Sequence, residues 1–166
     1  MPSNGSTSGV SLQGNPEAIT KSAVFGSMRD QLVGRLDQAN LELAALDEAA
    51  LGETKSSAGD KYETAREMIG QARSMQHRIR EEAQALLDWL GRQDATAKSL
   101  AFAAGSLART AGGWFLVCPS PVEIAVGGIR VQGVTLASPF GQACKGARAG
   151  EKRVFRDRAV EILEIL

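Results

Sequence analysis

The sequence predicts an α+β protein, in which a long antiparallel coiled-coil hairpin of two helices precedes a small antiparallel β domain with one short helix. Three observations predict it. Apolar residues recur every seven positions through most of the first half, with no proline inside the periodic segments. A short Gly/Ser-rich stretch divides that half into two comparable segments. After Gly91 the apolar residues fall instead into short runs separated by Gly and Pro, as strands do.

Residues 1–20 are mostly Ser, Gly, Asn and Pro with scattered apolar residues, a composition that does not offset the entropy of ordering, so a disordered tail is expected there. A hairpin is expected over 21–93. In its first helix Phe25, Leu32, Ala39 and Leu46 form one row of a seam, and Leu36, Leu43 and Ala50 the adjoining row. In the second, Ala65, Ala72, Ile79 and Leu86 form one row and Met68, Met75 and Trp89 the other, interrupted at Glu82. Neither narrow stripe can be buried alone, so the two helices must pair antiparallel around a tip at about 52–61. At ~1.5 Å rise per residue, 30 residues make an arm of roughly 45 Å. Gly52 is placed to close the first helix, and Ser57 or Asp60 to cap the second.

A β domain is expected over 97–166, with strands in the runs 100–104, 114–117, 122–126, 129–136 and 159–166. Gly112-Gly113 and Gly127-Gly128 fit tight turns, because glycine reaches positive φ without a steric penalty. Ser138-Pro139 begins one short helix that closes near Gly146. Gly91-Arg92-Gln93-Asp94 reads as a hinge between arm and domain.

The formal charge is zero, 19 basic against 19 acidic residues, which argues against nonspecific nucleic-acid binding. The sign shifts along the chain: residues 21–95 hold 10 basic and 13 acidic residues, and 96–166 hold 9 and 5. No apolar stretch approaches the roughly 20 residues of a membrane helix, and no secretion signal is read at the N-terminus, so a cytoplasmic protein without membrane contact is expected. Cys118 and Cys144 read as small buried apolar residues. His77 has no ligand or nucleophile near it in sequence and reads as a surface residue, and Arg66, Arg73, Arg78 and Arg80 read as partners for first-helix carboxylates. With no phosphate-cradling loop, ligand cluster or His–nucleophile pair, an enzyme is not expected.

The stretch Ser138-Pro139-Phe140-Gly141-Gln142-Ala143-Cys144-Lys145-Gly146, continuing through Gly150-Glu151, resembles the signature of the Gre transcript-cleavage factors, Ser-Pro-apolar-Gly-x-Ala-Leu-Leu-Gly-x-x-x-Gly-Asp. Cys144 and Lys145 replace two leucines and Glu151 an aspartate. The closing Val160-Glu161-Ile162-Leu163-Glu164-Ile165 is similar to the family's last strand.

The resemblance implies an FKBP-like C-terminal domain that docks on RNA polymerase, with Ser138, Pro139, Phe140, Gly141, Gln142, Gly146 and Gly150 at or near the contact. It also implies a monomer whose arm enters the polymerase's secondary channel and meets nascent RNA only indirectly. No cofactor would be held stably, but tip carboxylates would share a Mg²⁺ with the polymerase. Aligning the family tip on Tyr62 puts Lys55 where the family has aspartate, Ser57 on its serine and Ala58 on its first glutamate. The expected acting set is therefore Glu53, Lys55, Ser57, Asp60 and Tyr62, with Glu53 and Asp60 as the Mg²⁺ ligands. Two other outcomes fit the same residues: a non-cleaving polymerase regulator of this fold, or a coiled-coil docking module unrelated to polymerase.

Overall fold

A computed structural model describes residues 19–53 and 59–166. The expected disordered tail, but for its last two residues, lies outside them, as do Lys55 and Ser57 of the expected tip. Helix α1 spans Lys21–Glu53 and α2 spans Gly59–Gly91, 33 residues each. Each is roughly 50 Å long. The Thr20 hydroxyl caps α1 by accepting from the Ala23 amide at 3.1 Å, satisfying a donor that the first helical turn cannot.

The helices pair along a seam whose α1 side runs through Phe25, Leu32, Ala39, Leu43, Leu46 and Ala50, all buried or half-buried. On α2 one expected row holds: Ala65, Ala72, Ile79 and Leu86 face inward. The other does not. Met68 and Met75 are 66% and 62% exposed, and the second row is Tyr62, Ile69, Gln76, Ala83 and Leu90, one position further along the helix. The rows at 62, 65, 69, 72, 76, 79, 83, 86 and 90 keep strict alternating three- and four-residue steps, the spacing of a left-handed coiled coil. His77, next to the seam, is half-buried rather than a fully exposed surface residue.

Six strands follow: β1 Leu107–Thr110, β2 Gly113–Val117, β3 Val122–Val126, β4 Ile129–Val134, β5 Lys152–Phe155 and β6 Arg158–Ile165, with α3 Pro139–Cys144 between β4 and β5. They form one sheet in the order β3-β4-β2-β1-β6-β5. Every neighbouring pair is antiparallel except β2–β4, which run parallel from Trp114↔Val131 to Val117↔Val134. The turns at Gly127-Gly128 and Arg156-Asp157 both hold two residues at positive φ (54° and 81°; 50° and 61°). That is the backbone a two-residue hairpin needs to match strand twist. The run 100–104 is not a strand. Leu100 is 85% exposed, while Phe102 is fully buried and exchanges backbone hydrogen bonds with Gly146 and Ala147 at 3.0 and 2.8 Å, tying this segment to the end of α3.

Strand alternation sorts the sheet into two faces. Leu107, Trp114, Leu116, Ile124 and Val131 pack on the base of the arm, sharing one core with Val24, Met28, Leu32, Leu86 and Leu90. Ala108, Val117 and Ile162 face the other way, onto Phe102, Cys144 and Ala147. The sheet is thus a middle layer between the arm base and α3. Both cysteines are buried, as expected, and burial pushes the Cys118 thiol up to about 11.

Candidate functional site

The arm is fixed to the sheet domain at two places besides the shared core. The Lys21 ammonium, on a residue only 6% exposed, donates to the Ala97 carbonyl at 2.8 Å and the Ser99 hydroxyl at 3.1 Å. One face further along α1, the Gln31 side-chain amide donates to the Glu123 carbonyl at 2.6 Å. The expected hinge at 91–94 is itself tied down. Arg92 and Gln93 amides donate to the Trp89 and Leu90 carbonyls, and Asp94 accepts from both the amide and the hydroxyl of Thr96 at 2.8 and 2.6 Å. Those two bonds hold the exposed Asp94 carboxyl below its ordinary range. From Gln31 to Glu53 is 22 residues, so roughly 30 Å of arm projects past that last hydrogen bond.

Packing thins toward the tip. The last buried residue of α1 is Leu43, and the first of α2 is Ala83. Between them and the turn the seam is half-exposed, mixing Ala50, Ala65 and Ala72 with the larger Leu46, Tyr62, Ile69 and Ile79, and among the described residues one cross-helix ion pair spans it, Arg73–Asp47 at 2.9 Å. Beside that pair a groove of about 590 Å³ opens, lined by Ala50, Leu51, Tyr62, Arg66, Ile69 and Gly70 as well.

Of the expected tip set, Tyr62 is half-buried in this groove and Asp60 is exposed in the first turn of α2. An acidic side chain there is favoured by the partial positive charge of the helix start. Glu53 is the last residue of α1, and its side chain lies outside the described residues, as do Lys55 and Ser57. Among the described residues, no three His, Cys, Asp or Glu side chains converge on a point that could hold a metal ion.

The second expected surface, 138–150, turns out to hold much of its own backbone. Ser138 caps α3, its hydroxyl donating to the Thr135 carbonyl at 2.7 Å and accepting from the Gly141 amide at 3.0 Å. Gly141 is buried so tightly that a Cβ there would overlap the Thr135 carbonyl oxygen and lie 2.9 Å from Leu136 Cα. Gln142 donates to the Leu136 carbonyl at 2.6 Å. Gly146 and Gly150 take φ of 73° and 85°, and their amides donate to Phe102 and Ile162 carbonyls. Phe140 stacks among Phe102, Phe115 and Phe155 with centroids 4.6–6.1 Å apart. Pro139 and Gln142 are the exposed members of the α3 segment, and Gly146 and Gly150 lie exposed beyond it.

The sequence reading missed β1 and β5, and with β5 a concentration of basic residues. Six of the nine basic residues in 96–166 fall in 145–158, against two acidic ones. That bias was legible in the sequence, but without a strand to organise it the residues had no common edge.

Among the described residues no helix is long and apolar enough to cross a membrane. No protein family matches the chain, and no curated protein does. A solved structure, that of the transcription factor Gfh1, is similar over 84% of this chain and 93% of its own, at 16% identity and a TM-score of 0.35.

Proposed function

We propose that this chain binds RNA polymerase through its sheet domain, passes its arm into the secondary channel and modulates elongation at the catalytic centre without being an enzyme itself. The observation that carries the reading is the arm. Roughly 30 Å of two-helix hairpin stands beyond its anchors on a seam that is only half-buried toward the tip, a length unnecessary for folding a domain of this size and suited to reaching through a narrow passage. The resemblance of 138–151 to the Gre signature supplies the kind of partner.

At the tip, Asp60 and Glu53 are the carboxylates, Lys55 the charge partner, and Ser57 and Tyr62 the neighbouring polar groups. In this reading the chain adds one or two carboxylates to a Mg²⁺ held mainly by the polymerase. Such an ion would stabilise the oxygens of a phosphodiester undergoing cleavage. A second reading is favoured by Lys55 and Ala58, which stand where the Gre tip has carboxylates: the same arm occupies the channel and regulates without supporting cleavage.

RNA cleavage in stalled, backtracked complexes separates these readings, with wild type, Glu53→Ala/Asp60→Ala and no factor compared beside a pull-down. Faster cleavage with wild type and none with the double variant makes the carboxylates participants. Binding with unchanged or slower cleavage leaves the channel-occupying regulator. Absence of binding sinks both and leaves a docking arm for another partner.

A further inference from the structure

We infer that the outer edge of β5 is a docking site for an extended, acidic segment of another protein, which adds to the sheet as a seventh strand. The inference does not depend on the polymerase reading.

β5 ends the sheet order and pairs with β6 alone. The two-residue turn at Arg156-Asp157 makes Phe155 and Arg158 a hydrogen-bonded pair, and the antiparallel pattern then alternates along the hairpin. The next hydrogen-bonded pair is Arg153↔Val160, and the Ile162 amide donating to the Glu151 carbonyl at 2.9 Å continues the same phase. The N–H and C=O groups of Lys152 and Val154 therefore point away from β6, and no other described segment bonds to them. Helix α3 meets β5 through Phe140 against Phe155, on the face opposite Lys152 and Val154. The edge stays open, and Val154, 70% exposed, offers an apolar anchor beside it.

Charge selects the occupant. The segment 145–158 holds six basic and two acidic residues. Both basic residues of β5 itself are paired, Arg153 with Glu151 at 2.8 Å and Lys152 with Glu161 of β6 at 3.7 Å, so the basic excess is supplied by Lys145, Arg148, Arg156 and Arg158 on either side of the strand. A second copy of this chain would bring an equally basic edge and be repelled, whereas an acidic strand gains attraction along with its backbone ladder. A four-residue edge bearing lysine is also what a protein uses to discourage indiscriminate strand addition, so charge would act as the filter and the two open backbone positions as the binding element.

The test uses the full chain and a labelled octapeptide alternating Glu with Val or Thr, with the same peptide N-methylated at alternate amides as a control. Fluorescence anisotropy should show binding that weakens about tenfold or more on N-methylation and equally with Val154→Pro. Hydrogen exchange should show new protection at the Lys152 and Val154 amides. Near-ultraviolet circular dichroism, which reports the packing of buried Trp114 and of the Phe140 cluster, establishes that the variant's sheet domain is folded, and the N-methyl control needs no variant at all. Equal binding of the two peptides, no binding of either, or binding without protection at those amides would overturn the inference. So would an oligouridylate that binds the same surface while the peptide does not, since that is a charged surface for RNA.

Discussion

Arg73 reaches across the arm from α2 to Asp47 of α1, 2.9 Å away, in the region where neither helix has a buried residue. Their side chains are 44% and 57% exposed, so water screens the pair, and a contribution on the order of 0.2–1 kcal/mol is expected. A double-mutant cycle with Asp47→Ala and Arg73→Ala should give a coupling under about 1 kcal/mol that shrinks as salt is raised. A larger, salt-insensitive coupling would mean that the tip half is packed more tightly than its exposure indicates.

The phase of the α2 seam gives a second prediction. Ile69 is half-buried between the helices and Met68 is 66% exposed. Ile69→Ala should cost about 1–2 kcal/mol, and Met68→Ala should stay within about 0.5 kcal/mol, as read by urea unfolding. The opposite order would restore the row through Met68 and Met75.

How far the sequence was legible depends on what each element had to encode locally. The start of α1 and end of α2, the Ser138 cap with Pro139, and the Gly127-Gly128 turn each rest on a residue's own backbone preference, and each stands where expected. The α2 seam was misphased because its true second row contains the polar Gln76, while two exposed methionines mimic an apolar row next to it. β1 reads Leu-Ala-Arg-Thr and β5 Lys-Arg-Val-Phe, neither an apolar run, and Arg109 is kept in β1 by its pair with Glu164 at 3.1 Å across the ladder. The parallel β2–β4 pair comes from sheet order, which no local pattern records. The residues expected to dock were picked out only by their resemblance to a signature, and the sequence did not reveal that Ser138, Gly141 and Gln142 hold the backbone around α3.

Gly141 supplies a third prediction. A methyl there has no room against the Thr135 carbonyl, so Gly141→Ala should destabilise the domain by about 1–3 kcal/mol. Any loss of partner binding in that variant should track the loss of folded protein in a thermal melt. Replacing exposed Pro139 by Ala separates docking from architecture more cleanly, whereas a Gln142 variant would also give up the bond to Leu136 that holds the backbone there.

Lys21 supplies a fourth, in pH. Burial lowers its pKa from 10.5, and the charge of Asp94 only partly opposes this. Asp94 and the Ala97 and Ser99 oxygens are the charged and polar groups facing it. With the folded pKa below the unfolded one, the unfolded chain binds more protons between the two values. Stability attributable to this group therefore rises with pH from the depressed pKa up to about 10.5, and below that window a constant cost of burying the charge remains. Subtracting the stability–pH curve of Lys21→Met from that of wild type should leave an upward alkaline slope. A flat difference curve would show that Lys21 titrates as if exposed.

The strict seven-residue step of the α2 rows turns the arm's length into a ruler marked in whole heptads. Excising one heptad from each helix should draw the end inward by about 10 Å while keeping the same compass bearing relative to the sheet. Removing four or five residues instead should twist that bearing as well as shorten the reach. A family of such chains would let distance and direction be varied separately, because the two anchors at the root leave neither free to drift.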